Sequence, residues 1–335
     1  MKKIPIRTKS FSRLVEGNYY FVDKTLMIKE FLDRGTDVTL ITRPRRFGKT
    51  INMSMMAEFF DITKDSKEIF KGTKIMDTPY ASELNQYPTI FISFADAKEN
   101  KETIVKYIKT QLQNEYIRYH FIFNQLNELE QNDYLYILDV ENDEYFISPH
   151  ATVRFKMDNG ILNDVDNAIV FLMRCLKKYY GKDVMLFIDE YDTPFIEAKT
   201  GNFYQELKGS LATLLRSSLK NSEDLKYAFI TGIQRVAKEN IFSDLNNLDV
   251  YTVCDREYSE YFGFDSDETK KLLEYYGLEL NNEVKEMYDG YHIGNQDIYN
   301  PWSIMNYAKR KKLISYWVNT SANSMIKTAL KQANY

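Results

Sequence analysis

The run "TRPRRFGKT" (residues 42–50) ends in Gly48-Lys49-Thr50, a set of side chains suited to gripping a phosphate. Consecutive backbone N–H groups at a helix N-terminus point at an anion, and the helix dipole adds to the attraction. Gly48 admits close backbone approach, Lys49 can reach β- and γ-phosphate oxygens, and the Thr50 hydroxyl is a ligand type for Mg²⁺. The usual spacing, G-x-x-x-x-G-K-[ST], asks for glycine at position 43, where this chain carries arginine. Arg43-Pro44 is expected to shape that turn through the fixed φ of proline. Arg43, Arg45, Arg46 and Lys49 would together add positive charge near the phosphates. The candidate nucleotide segment is Arg45, Arg46, Phe47, Gly48, Lys49, Thr50 and Ile51. Taken alone, GKT also suits a solvated basic turn before a helix.

A second group lies in "VMLFIDEYD" (184–192). Asp189, at the end of an apolar run, can hold Mg²⁺, and Glu190 beside it can orient and deprotonate an attacking water. In "FITGIQR" (229–235), Thr231 can sit between that water and a γ-phosphate. Arg235 can respond to phosphate charge, in cis or from a neighbouring subunit. An Asp-Glu pair at a strand end is common, but downstream of strand, GKT loop and helix it is a less ordinary coincidence.

These residues need a scaffold. "KTLMIKEFLDR" (24–34) has apolar residues at helical spacing and Gly35 to end it; "DVTLIT" (37–42) reads as a buried strand; "KTINMSMMAEFFD" after the loop reads as a helix. Strand, loop, helix is the setting a phosphate loop requires. Further strands are expected at 89–94, 184–189, 227–232 and 250–254, separated by helical stretches around 101–129, 163–180 and 203–220. Apolar strands alternating with helices imply a mostly parallel sheet covered on both faces, an α/β fold. Residues 131–160 fit poorly, and "DYLYILDVENDEYFI" is expected to form a hairpin or irregular insertion. From about residue 256 the texture changes. Asp265 and Glu268 form a capping-box pattern with Gly277 as stop, "GYHIGNQDIY" suits a small hairpin, and Asn300-Pro301 opens another helix. The expected organisation is a nucleotide-binding domain over 1–255 and a helical or winged accessory domain over 256–335.

The 335 residues carry a net charge of -4, which argues against a generally basic, nucleic-acid-coating surface while leaving room for a local basic groove. Two cysteines, Cys175 and Cys254, stand in apolar runs and are expected as buried thiols. Three scattered histidines make a zinc site improbable. "MKKIPIRTKS" lacks the apolar stretch of a signal peptide, and no run suits a membrane span, so a cytoplasmic protein is expected. Two patterns mislead. "NNLD" (246–249) is a poor match to guanine-reading N-K-x-D, so adenine is the expected base. E-x-K occurs five times, too often to mark a nuclease.

"YYFVDKT" (19–25), "LITRPRRFGKT" (40–50), "LFIDEYDTPF" (186–195), "FITGIQRVAKENIFSDLNNL" (229–248) and "YNPWSIMNY" (299–307) together resemble the bacterial AAA-ATPase-like family. The loop of that family is typically R-P-R-R-F-G-K-[ST], so Arg43 conforms to it. The resemblance implies a P-loop NTPase sheet in the order 5-1-4-3-2, with ATP and Mg²⁺ as cofactors. It implies that Lys49 and Thr50 bind phosphate and Mg²⁺, that Asp189 binds Mg²⁺ and that Glu190 activates water. "YYFVDKT" precedes the loop strand as adenine-wrapping segments do, which makes Tyr20, Phe21 and Asp23 candidates; the other reading is a buried aromatic pair. Many family members continue into a PD-(D/E)xK nuclease-like domain. This chain stops at Tyr335, as a truncated form or a member without that module, so nuclease activity is not carried over. The expected function is Mg²⁺-dependent ATP binding and slow hydrolysis used as a switch, read by a protein partner or a homo-oligomer. The alternatives are a non-hydrolysing nucleotide-binding module and an ATP-gated component of a nucleic-acid or defence system.

Overall fold

The computed structural model describes residues 1–6, 8–138, 162, 165–220, 222–234, 245–288, 291–293 and 296–316. The chain runs α1 (Phe11–Glu16), α2 (Leu26–Arg34), β1 (Val38–Thr42), α3 (Lys49–Phe60), α4 (Lys67–Phe70) and β2 (Thr89–Ser93). It continues α5 (Lys101–Arg118), α6 (Glu128–Leu138), α7 (Ala168–Tyr180), β3 (Val184–Asp189), α8 (Thr193–Thr200), α9 (Tyr204–Leu219), β4 (Leu225–Gly232) and β5 (Leu248–Tyr251). Beyond these come α10 (Ser266–Tyr275), α11 (Asn282–Tyr288), β6 (Tyr291–Ile293), β7 (Gln296–Ile298) and α12 (Pro301–Arg310).

The five strands β1–β5 form one parallel sheet in the order β2-β3-β4-β1-β5, which is 5-1-4-3-2 read from the β5 edge. β1 and β3 are buried along their whole length, as strands covered on both faces must be. Alternate residues serve opposite faces. Leu186 and Ile188 of β3 pack with α5, α7 and α9, while Met185 and Phe187 pack with α1, α2 and α3. A third apolar cluster, with Leu272, Leu273, Val284, Tyr288 and Ile304, joins α10, α11 and α12.

Local signals account for several ends. Gly35 closes α2 in the left-handed conformation (φ 59°). Asp265 and Glu268 form the reciprocal capping box of α10, and Asn300 caps α12 ahead of Pro301. β6 and β7 pair antiparallel as the expected small hairpin. Two expectations fail. Residues 133–138 are not in a hairpin but complete α6, where Tyr134, Leu135, Ile137 and Leu138 turn one helical face into the core; the rest of that segment lies outside the described residues. Nor is Cys254 buried. β5 ends at Tyr251, and a turn follows in which the Asp255 carboxylate accepts from the N–H and hydroxyl of Thr252. That turn leaves the Cys254 thiol exposed and Cys175 buried, both free.

Candidate nucleotide site

β1 delivers the basic loop to the N-terminus of α3. Gly48 stands before the helix with φ 84°, a left-handed value that a side chain resists. The other left-handed residue of the loop is Arg46 (φ 71°). Arg43 is not among them, and its charge does not face outward. Its guanidinium is fully buried and donates to the carbonyls of Thr42 (3.0 Å), Tyr251 (3.2 Å) and Glu257 (3.3 Å), over the Phe262 ring. Burial pulls its pKa down to about 10, against the opposing pull of Asp255. Arg43 therefore ties β1 to β5 and the segment after it, which corrects the expectation that it adds to the charge around a phosphate.

Lys49 is buried at the head of α3, and its ammonium donates to the carbonyls of Arg43 and Pro44, each at 2.9 Å. Burial lowers its pKa, while Glu190, Asp189 and Asp192 push it back up. One residue on, the Thr50 hydroxyl donates to Asp189 Oδ2 at 2.8 Å. The other carboxylate oxygen of Asp189 accepts from the Thr231 hydroxyl at 2.6 Å. Asp189 is fully buried, and desolvation raises its pKa despite the hydroxyl bonds from Thr231 and Thr50. The geometry follows from the sheet: β3 and β4 are in parallel register, so Asp189 and Thr231 leave their strands side by side.

Glu190 follows in the left-handed region (φ 53°), half-buried. Its N–H donates to Thr231 Oγ1 (3.3 Å) and its Oε2 accepts from the Thr193 hydroxyl (3.2 Å). Thus Thr50, Asp189, Thr231 and Glu190 form one hydrogen-bonded group, and Lys49 lies close enough to feel the charges of Glu190 and Asp189. Arg235 lies outside the described residues.

The remaining candidates divide. Tyr20 and Phe21, with Gly48, Ile51, Phe264 and Pro301, line a mostly apolar cavity of about 100 Å³ beside the loop. Tyr20 also packs on Tyr275 and Tyr276. Asp23 is engaged elsewhere: one oxygen accepts from the N–H and hydroxyl of Thr25, the other from Lys74 N–H. The Arg46 guanidinium lies over the Trp302 ring at 4.0 Å, Phe47 is fully buried against Tyr291, and Arg45 is half-buried. The loop thus faces the sheet through Lys49 and Thr50, and α12 and the hairpin through Arg46 and Phe47.

Sequence reasoning missed two groups. Asp192 is fully buried, and its Oδ2 accepts from the N–H groups of Ile233 and Gln234, each at 2.9 Å. Its signal was its place in the same "DEYD" run. Tyr107, on α5, lies close enough for Asp96, Asp189 and Glu190 to add to the upward shift that burial gives its phenol. No local pattern marked it.

A family model described as "AAA-ATPase_like: Predicted AAA-ATPase" matches residues 5–242. A curated protein of Azotobacter chroococcum mcd 1, described as "Uncharacterized protein in vnfD 5'region", is 26% identical over 332 residues. That match covers 97% of this chain and 55% of the relative, so the chain spans little more than half the length of the protein it resembles. No solved structure matches.

Proposed function

We propose, from the premise that this chain belongs to the predicted AAA-ATPase family, that it binds Mg-ATP and hydrolyses it slowly in the cytoplasm, as a switch read by a protein partner or a second copy. One observation carries the reading. Thr50 and Asp189, hard oxygen donors of the kind Mg²⁺ takes, are hydrogen-bonded to each other at the head of a 12-residue helix, with Lys49 and Glu190 alongside. These residues fit the ion: one carboxylate, one hydroxyl and a helix N-terminus for the phosphates it accompanies. When bound, Mg²⁺ neutralises charge on the β- and γ-phosphate oxygens.

The chain's own residues do the rest. Of the three Lys49 N–H donors, two hold loop carbonyls and the third is left for a phosphate oxygen. Glu190 orients a water on the γ-phosphorus and takes its proton as the new P–O bond forms and the bond to ADP breaks. Thr231 holds Asp189 from the side away from Thr50. The cavity beside Gly48 and Ile51, with Tyr20 and Phe21 in its wall, suits a flat base, for which adenine is proposed.

The test is nucleotide-dependent stabilisation followed by single-turnover phosphate release. At about 100 times Kd, Mg-ATP should stabilise the protein by roughly 2.7 kcal/mol. Lys49→Ala should abolish the shift. Glu190→Gln should keep it and slow release by about 10²–10⁴-fold. No shift at millimolar Mg-ATP refutes the site; a shift with release no faster than in Glu190→Gln leaves a binding module in place of an enzyme.

A further inference from the structure

Glu190 is held in a backbone conformation that a glutamate does not choose. A left-handed non-glycine residue is strained, and such strain persists only where the surroundings over-determine it. What surrounds it is an interlock between residues 190–192 and 231–234. Glu190 N–H donates to Thr231 Oγ1, Tyr191 N–H to Thr231 O (3.0 Å), and the Tyr191 hydroxyl to Gln234 O (3.1 Å). Asp192 Oδ2 then accepts from both Ile233 and Gln234 N–H.

Asp192 occupies the N-cap position of α8, where an aspartate ordinarily caps its own helix, yet its side chain makes no capping bond there. Its carboxylate is spent across the gap instead. The other oxygen, Oδ1, is buried and has no hydrogen-bond partner among the described residues, a cost that a purely local role would not demand. Gly232 completes the fit. A Cβ there would lie 2.6 Å from the Tyr191 ring and 3.0 Å from Asp192 Oδ1.

We infer that Asp192 is the positioning residue of the site: by clamping Ile233 and Gln234 it holds the 190–192 turn against β4 and keeps Glu190 aimed. The inference rests on the hydrolytic reading above and adds the device that holds the water-activating carboxylate. It acts through Glu190, and that dependence is measurable.

Asp192→Ala and Gly232→Ala break the interlock from opposite sides, so the failure of one to fold leaves the other. Each should lower single-turnover phosphate release by about 10–100-fold, the scale of a small misplacement of a reacting group. The KM for Mg-ATP should stay within about threefold, because binding does not pass through Glu190. Asp192→Asn keeps an acceptor oxygen for the two amides and should retain most of the rate. In a Glu190→Gln background neither alanine change should slow release further. A multiplicative loss in the double variants, or an unchanged rate in both single ones, overturns the inference. Hydrogen exchange gives a readout that needs no turnover: Asp192→Ala should speed exchange at 190–193 and 231–234 while β1 stays protected. Unchanged exchange there also overturns it, whereas absence of phosphate release from the unmodified protein overturns the hydrolase reading alone.

Discussion

Replacing Arg43 with glycine would restore the commonest phosphate-loop spacing, and the structure requires that this repair do harm. Arg43 does not occupy a left-handed turn position, so glycine brings no conformational relief there. What it removes is a buried guanidinium with three backbone acceptors, at Thr42, Tyr251 and Glu257, the last two 208 and 214 residues further along the chain. Hydrogen bonds from a charged donor contribute about 1.5–3 kcal/mol each, and at 3.0–3.3 Å these three belong at the lower end, roughly 5 kcal/mol together. Against that stands the desolvation that pulls the Arg43 pKa from 12.5 to about 10, roughly 3 kcal/mol. The unfilled space and the added chain freedom of glycine cost about 1–2 kcal/mol more. The expected loss is therefore about 3–4 kcal/mol, measured as a lower midpoint in urea denaturation with the slope unchanged. Arg43→Lys should recover only part of it, since one ammonium cannot span three carbonyls in the fork geometry of arginine. An Arg43→Gly protein within about 0.5 kcal/mol of the parent would refute this account of the loop.

Phe47→Ala should cost about 3–5 kcal/mol in the same assay, because the ring is fully buried against Tyr291 and the β6–β7 hairpin packs on it; a loss below about 1 kcal/mol would mean that this contact is loose. A thiol reagent at pH 8 should label Cys254 and spare Cys175, whose thiol is buried and pushed up to about 12, until denaturant is added; equal labelling rates in the native protein would contradict the burial. Burial raises the Asp192 pKa above its ordinary 3.8, against the backbone N–H bonds from Gln234 and Ile233, and Lys49 is the facing cation that also opposes the shift. The folded state then holds that proton more tightly than the unfolded state, so this group's contribution to stability falls as pH rises from about 4 through the folded pKa. Asp192→Asn should flatten that part of the urea midpoint against pH; a slope as steep as the parent's would show that the carboxyl is not its source.

The elements that carry the site follow from short-range physics. Apolar spacing, Gly35 after α2, the Asp265–Glu268 box and Asn300-Pro301 mark ends through contacts within one or two turns. The buried runs of β1 and β3 mark strands of a covered sheet, the Asp-Glu pair stands at the end of β3, and GKT opens the helix after β1, at the carboxyl edge of the strands where open α/β sheets bind ligands. Residues 133–138 misled because tyrosine, isoleucine and leucine suit a strand as readily as a helix face, and packing on the core decides between them. Arg43 read as loop charge because its partners at Tyr251 and Glu257 approach only once β5 has closed beside β1. Asp192 went unmarked because the amides it holds, at Ile233 and Gln234, arrive just past the end of β4, 41 and 42 residues further on. Residue types and local spacing determined which groups this chain offers to a phosphate and a metal ion. Which way each side chain faces was decided by the parallel sheet, since only its closed register brings those distant carbonyls and amides within hydrogen-bonding reach.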